Sequence, residues 1–277
     1  MRTLPFSAIT IVTYRVWLAL PLFLVLYLKR RSARGTYNPS TLKLLVASGV
    51  VQAISWTGFF TAFKLTGIAN AVLLLYTAPI IVALLAPYVL SERRQPRACV
   101  SLFFATAGTI LIFYTAGIGE HLEFFGVLSG LFAGFLFALL IMADRKLSQN
   151  QPSEMIVAVQ LLVASLVLAP APILEQRLPN YYEAGLLLML GVVHTGFALN
   201  LYIDGLSSTP AQHAVVIQYL EPASAILYAA LFLKELPPLT SLLGGILIIF
   251  ANVILVVATR SKEINHQERS GQIDFEL

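Results

Sequence analysis

Apolar residues in this chain neither alternate nor recur at the spacing of a half-buried helix; they come in blocks of about twenty separated by short polar connections. Blocks of that length predict helices that cross a membrane. They fall near residues 6–28, 42–63, 68–90, 98–115, 124–142, 155–171, 184–203, 211–233 and 239–258. Backbone polar groups inside hydrocarbon must be bonded within their own segment. Runs this long and uniform therefore read as helices, and not as the alternating strands of an outer-membrane barrel. The pattern predicts an all-α polytopic membrane protein with nine helices present.

Two blocks carry the same pattern. Leu74, Leu75, Tyr76, Thr77, Ala78 and Pro79 lead to Glu92, while Ile217, Gln218, Tyr219, Leu220, Glu221 and Pro222 lead to Glu235, each 143 residues further on. At the same offset Thr66, Ala71, Val72, Tyr76, Leu84, Ala86 and Leu90 meet identical residues at Thr209, Ala214, Val215, Tyr219, Leu227, Ala229 and Leu233. The chain is read as a duplication. Applied to the fifth block, the offset places its counterpart upstream of Met1. A first repeat lacking its first helix is thus expected, with a further apolar span in the upstream reading frame. Five helices per repeat, an odd number, would turn the second copy upside down, giving two inverted five-helix repeats. The expected organisation is a first repeat at residues 1–119, a second at 120–260 and a cytoplasmic tail at 261–277.

Composition agrees with a lipid environment, since 58% of residues are hydrophobic and 12% charged, and mean hydropathy is +0.81. Soluble domains carry about 25% charged residues. The net charge of +4 sits in alternate connections: Lys29, Arg30, Arg31, Arg34 and Lys43; Arg93, Arg94 and Arg97; Arg145 and Lys146; Arg260, Lys262 and Arg269. The opposite connections hold only Lys64, Arg177 and Lys234. This asymmetry marks the basic side as cytoplasmic, which places the C-terminus in the cytoplasm of a multi-pass protein of the cell inner membrane, and it is a topology signal and not a nucleic-acid footprint. Cys99 is the single cysteine and forms no internal disulfide. The sequence has neither a GxxxxGK[S/T] phosphate loop nor a Ser/His or paired-Asp constellation. No catalytic residue, cofactor or metal is expected, and the chain is not read as an enzyme.

Chemistry then rests on polar residues at membrane depth, each costing at least about 2.5–3.5 kcal/mol on insertion scales. Gln52 and Trp56 stand one helical turn apart with Ser55 beside them, an amide and an indole on one face. His194 is mid-membrane and has the chemistry of a proton-coupling group, while Asn200 and Asp204 lie towards one end of the same span. Pro79 and Pro222 each remove a helical donor and are expected to kink their helices. Glu221 stands where the first copy has Ala78, so it is an acid added to one repeat, with three roles open: a substrate amine, a proton, or a pairing with Arg15. We expect Gln52, Trp56, Tyr76, His194, Gln218 and Glu221 to converge near the midplane as a substrate site. Ordinary packing accounts for each of them as well: a helix–helix hydrogen bond, a packed aromatic, a satisfied histidine, a static kink. Glu92 and Glu235 read as helix-end charges. Gly244 and Gly245, with Ala105, Ala107 and Gly108 in the matching span, read as close helix packing or a homodimer face.

These features together resemble a known family: a span with an internal arginine (Tyr14, Arg15), the two proline-containing spans ending at Glu92 and Glu235, and a glycine-rich last helix from Gly244 to Ile248. They are similar to the EamA-type branch of the drug/metabolite transporter superfamily. The resemblance implies a ten-helix, two-repeat secondary transporter that moves small metabolites, often amino acids or related compounds, and commonly outward. Its partners would be the lipid bilayer and a small-molecule substrate. A channel, or a non-transporting membrane receptor or scaffold, is the alternative.

Overall fold

The computed structural model describes residues 6–29, 38–114, 123–175, 177–233 and 238–255, and among these every regular element is a helix. Arg30, Arg31, Arg34, Lys234, Glu235 and the tail at 261–277 lie outside the described residues. In chain order the helices are α1 (Ala8–Lys29), α2 (Pro39–Thr66), α3 (Ile68–Leu75), α4 (Thr77–Val89), α5 (Pro96–Tyr114), α6 (Phe124–Ser148) and α7 (Ser153–Leu168). They continue as α8 (Pro170–Glu175), α9 (Tyr181–Met189), α10 (Ala198–Ser208), α11 (Ala211–Gln218), α12 (Leu220–Tyr228) and α13 (Leu239–Leu255). Two π-helical segments, Leu190–Phe197 and Ala229–Leu233, extend α9 and α12. Among the described residues, seven helical stretches are long and apolar enough to cross a membrane, and α13 is a shorter apolar helix.

Local chemistry sets the helix ends. Asn38 caps α2 by accepting the Ser40 N–H at 3.3 Å, with Pro39 at the first helical position, where its missing donor costs nothing. Asn180 and Glu183 form a reciprocal capping box at α9, each side chain accepting the other's N–H at 2.9 Å. Glu183 also pairs with Arg177 at 3.0 Å. The longest apolar stretch, Pro39–Val89, spans 51 residues and reverses direction at Gly67, whose φ of +81° belongs to the left-handed region that favours glycine. As a result Ala62 on α2 and Leu74 on α3 both lie against Gly130 of α6.

By their contacts the residues form two compact units, Met1–Val82 with His121–Ala211, and Ala83–Glu120 with Gln212–Leu277. Each unit takes segments from both halves of the sequence duplication. In the first, the core lies among α1, α2, α7 and α10, where Val16, Ala19, Leu45, Ile156, Leu161 and Ile203 are inaccessible to solvent. Helix α1 runs antiparallel to α7: Thr13 Oγ1 donates to the Leu168 carbonyl and Trp17 Nε1 to the Ser165 carbonyl, both at 3.3 Å. It also lies against the first π segment, where a Cβ on Gly191 would come within 2.5 Å of the Arg15 carbonyl. In the second unit, α5 and α13 run antiparallel through Phe104 edge-on to Phe250 at 5.3 Å, Gly108 against Gly244, and Ser241 Oγ donating to the Ile112 carbonyl at 3.3 Å.

Glycines at such crossings are required by space. A Cβ on Gly108 would lie 2.6 Å from the Gly244 carbonyl oxygen, whereas a Cβ on Gly245 would meet nothing within 4 Å. Gly244→Ala is therefore expected to destabilise the protein by about 1–3 kcal/mol through overpacking. Gly245→Ala is expected to be neutral or to stabilise by up to about 1 kcal/mol. Thermal unfolding in detergent checks both, and equal effects would contradict the packing described.

Candidate functional site

The clearest local chemistry lies at two helix breaks. Helices α3 and α11 begin 143 residues apart, end 143 residues apart, and give way to α4 and α12 across one residue each, Tyr76 and Tyr219. Three residues later come Pro79 and Pro222. A proline has no N–H to donate and its ring crowds the carbonyl four residues earlier, here Leu75 and Gln218, the last residues before each break. Other bonds hold the chain beside each break. At the first break Thr77 Oγ1 donates to the Leu74 carbonyl at 2.6 Å. Gly134 of α6 leaves the room, since a Cβ there would lie 2.5 Å from Thr77 Oγ1 and 2.8 Å from the Leu74 oxygen. At the second, the Tyr219 N–H reaches back to Val216 at 3.2 Å, and the buried Tyr219 hydroxyl meets Thr106 Oγ1 of α5 at 3.1 Å.

The residues singled out in the sequence are divided between the units. Gln52, Trp56, Tyr76 and His194, with Pro79, belong to the first; Gln218 and Glu221, with Pro222, belong to the second. Gln52 is buried and its side-chain oxygen has no hydrogen-bond partner. Trp56, one turn on, is half-buried against the core of α1, α2 and α7. Tyr76 is half-buried at the first break, and its N–H reaches Val72 at 2.9 Å. His194 lies on the exposed side of the π segment, flanked by the exposed Val193. Neither Gln52 nor His194 is hydrogen-bonded to another of the four in this unit. In the second unit Gln218 ends α11 with a buried, unpartnered side-chain oxygen, and Glu221 is exposed in the first turn of α12. An unpartnered amide oxygen thus stands on α2 and another at the second break, and each can accept a hydrogen bond from a polar ligand.

Two polar groupings escape a reading by sequence position. Arg15, read in the sequence as a pairing option for Glu221, donates its Nε–H to Thr195 Oγ1 at 2.9 Å, and that hydroxyl donates to the Leu190 carbonyl at 3.1 Å, five residues back in the π segment. The partners are 180 residues apart. Its position inside an apolar block was the available signal, since a cation at membrane depth needs a partner. The second grouping joins Asp144, Gln160 and Ser48 on α6, α7 and α2. Asp144 stands next to Arg145 and Lys146, so in the sequence it reads as part of a charged connection.

Residues 2–114 and 124–257 match the EamA-like transporter family, so the family covers nearly the whole chain in two stretches. An uncharacterized transporter of Bacillus subtilis, YwfM, is 29% identical over 79% of this chain and 75% of its own length. The pseudopaline exporter CntI of Pseudomonas aeruginosa is 29% identical over 84% of this chain and 81% of its own. A protein crystal structure, 19% identical in sequence, superimposes with a TM-score of 0.78 over 92% of this chain and 90% of that one, which speaks to the fold.

Thr195→Val keeps the shape of the side chain while removing the acceptor for Arg15 and the donor to Leu190. A guanidinium N–H left without its acceptor is expected to cost about 1–3 kcal/mol, read as a lower melting temperature in detergent. Thr195→Ser, which retains the hydroxyl, should stay near the parent; equal loss in both variants would show that the hydroxyl does not hold Arg15.

Proposed function

The chain belongs to the EamA-like transporter family, and on that premise we propose that it is a secondary-active transporter that exports small metabolites, amino acids or related compounds among them, by alternating access. It is a multi-pass membrane protein, and the names in its family and among its relatives are those of transporters and not of enzymes. The observation that carries the mechanism is the pair of helix breaks at Tyr76 and Tyr219, at equivalent positions of the duplication. Secondary transporters characteristically bind substrate at discontinuous helices contributed by both repeats, and rock around them.

Counting the stretch that reverses at Gly67 as two crossings and α13 as one, the described residues support a reading of nine spans. The inverted relation of the repeats has support in two pairs of equivalent helices. Residues 8–29 and 96–114, moved by 143, fall on α7 with α8 and on α13, and both α1 with α7 and α5 with α13 run antiparallel. A repeat at residues 1–119 and another at 120–260 is the corresponding division of the chain. We assign substrate contact to Gln52, Trp56, Tyr76, His194, Gln218 and Glu221, with Pro79 and Pro222 setting the breaks. The amide oxygens accept from the substrate, the aromatics cover its apolar part, and Glu221 takes an amine. The basic connections face the cytoplasm of the cell membrane.

Counterflow in proteoliposomes loaded with a radiolabelled amino-acid mixture tests this function. A carrier shows transient uptake driven by unlabelled substrate on the opposite side. Flux without counterflow would indicate a channel, and no flux a receptor or scaffold. Glu221→Gln is expected to raise the half-saturation concentration about tenfold, equivalent to about 1.4 kcal/mol, at unchanged abundance. Glu92→Gln should act chiefly on abundance. An unaltered half-saturation in Glu221→Gln removes Glu221 from the site.

A further inference from the structure

Asp144 is 1% exposed, one turn from the end of α6. Its Oδ1 accepts a hydrogen bond from Gln160 Nε2 of α7 at 2.5 Å, and the same nitrogen donates to Ser48 Oγ of α2 at 3.0 Å. Tyr202 of α10 lies within electrostatic range of the carboxyl. The Tyr202 hydroxyl and the Gln160 side-chain oxygen are both buried and have no hydrogen-bond partner. Four helices of one unit therefore bring a single acid and three neutral polar groups together.

Among the described residues no cation bonds that acid. Arg145, the next residue, turns its guanidinium to the carbonyls of Leu206 and Ser207 at 2.5 and 2.8 Å, closing the end of α10. On α6 and the helices packed around it, the other charged side chains are Lys146, exposed on α6, Lys43 and Lys64, exposed on α2, Glu154 in the first turn of α7, and Asp204, exposed on α10. None of them bonds Asp144. A carboxyl at this depth must have its charge balanced by a bound cation or removed by a proton. A divalent ion would draw on several acids or histidines, and the described residues contain no group of three His, Cys, Asp or Glu placed to hold one. A lone acid ringed by neutral hydrogen-bonding groups suits a proton.

There is also a way in. A cleft of about 310 Å³ opens where α2 begins and α6 ends, lined by Ser40, Leu44, Lys146, Leu147 and Asn150 among others. Leu44 is one turn from Ser48, and Leu147 three residues from Asp144. These leucines place the cleft beside the turns of α2 and α6 that carry the cluster.

We propose that Asp144 is the proton-coupling group of this protein, exchanging a proton with water through the cleft between the ends of α2 and α6. The proposal rests on the transporter reading given above. In each cycle one proton passes from a hydronium ion in the cleft to a carboxylate oxygen of Asp144, forming an O–H bond and leaving a water molecule in the cleft. The proton returns to water when the cluster is next opened, so each turnover moves one proton and leaves the protein unchanged. Loss of the charge weakens the bond from Gln160. That coupling links the protonation state to the packing of α2, α6, α7 and α10.

The experiment uses the full chain in proteoliposomes with the radiolabelled amino-acid mixture inside or outside and a pH dye enclosed. The parent protein should accumulate label when a pH gradient is imposed, and the label should drive a matching proton flux. Asp144→Asn should retain counterflow while accumulation falls at least tenfold, and Asp144→Glu should keep both. Accumulation in Asp144→Asn equal to the parent, or accumulation driven by a sodium gradient and not by pH, overturns the proposal while leaving the transporter reading in place. If the parent shows no counterflow, that reading fails on its own. Infrared titration of the purified protein then decides the site: a carboxylic-acid C=O band present in the parent and absent in Asp144→Asn supports it, and no difference overturns it. Should Asp144→Asn fail to fold, Tyr202→Phe is expected to move the midpoint of that band, and an unmoved midpoint overturns the proposal.

Discussion

Three glycines spaced four residues apart on α6 set how close the first unit's helices come. Gly126 meets Leu65 and Thr66, Gly130 meets Ala62 and Leu74, and Gly134 meets Thr77 and the Leu74 carbonyl. A side chain at any of them would push the α2–α3 hairpin away. Lipid gives no hydrophobic drive between helices, so association comes from close packing and interhelical hydrogen bonds. The same seam supplies them: Ser55 Oγ donates to the Ala133 carbonyl at 3.0 Å and Ser129 Oγ to the Gly58 carbonyl at 2.9 Å. The break at Tyr76 depends on this seam, because Gly134 leaves the space in which Thr77 satisfies the carbonyl of Leu74.

The second requirement is that polar groups inside the membrane find partners, and the protein meets it unevenly. At the first break a threonine supplies the donor; at the second, Tyr219 is anchored through Thr106. Arg15 is held by one hydroxyl in a π segment, a backbone form that occurs disproportionately at functional positions. Against these satisfied groups stand the amide oxygens of Gln52, Gln160 and Gln218. Unmet hydrogen-bonding capacity in a membrane interior is costly, and these amides are among the places where the fold retains it, with Gln151, Asn200 and Tyr202 as others.

The all-helical, membrane-crossing character was legible in the sequence because lipid demands long unbroken apolar runs, and the matched positions of the two breaks because Tyr76, Pro79, Tyr219 and Pro222 recur at one offset. The family resemblance drew on those residues together with Arg15 and the glycine-rich last helix. What escaped is what depends on three-dimensional neighbours. The block at 68–90 read as a single helix, and its division at Tyr76 arises from a proline three residues on together with the room beside Gly134. Gly244 and Gly245 look alike in sequence, yet one touches the α5 backbone and the other faces open space. Asp144 gave no signal beside Arg145 and Lys146; its setting depends on Gln160 and Ser48, 16 and 96 residues away in the chain. Arg15 was noted in the sequence as a pairing option for Glu221, and Thr195, 180 residues away, gave no sign of being its partner.

The central claim is that the two breaks are equivalent points at which the helices open during transport. Hydrogen–deuterium exchange of the protein in lipid nanodiscs, resolved over residues 74–79 and 217–222, tests it most directly. The account predicts faster exchange in both windows than in the flanking turns of α3, α4, α11 and α12, with protection in both changing together when the amino-acid mixture is added. Exchange as slow as in the flanking helices, or a change confined to one window, would contradict it.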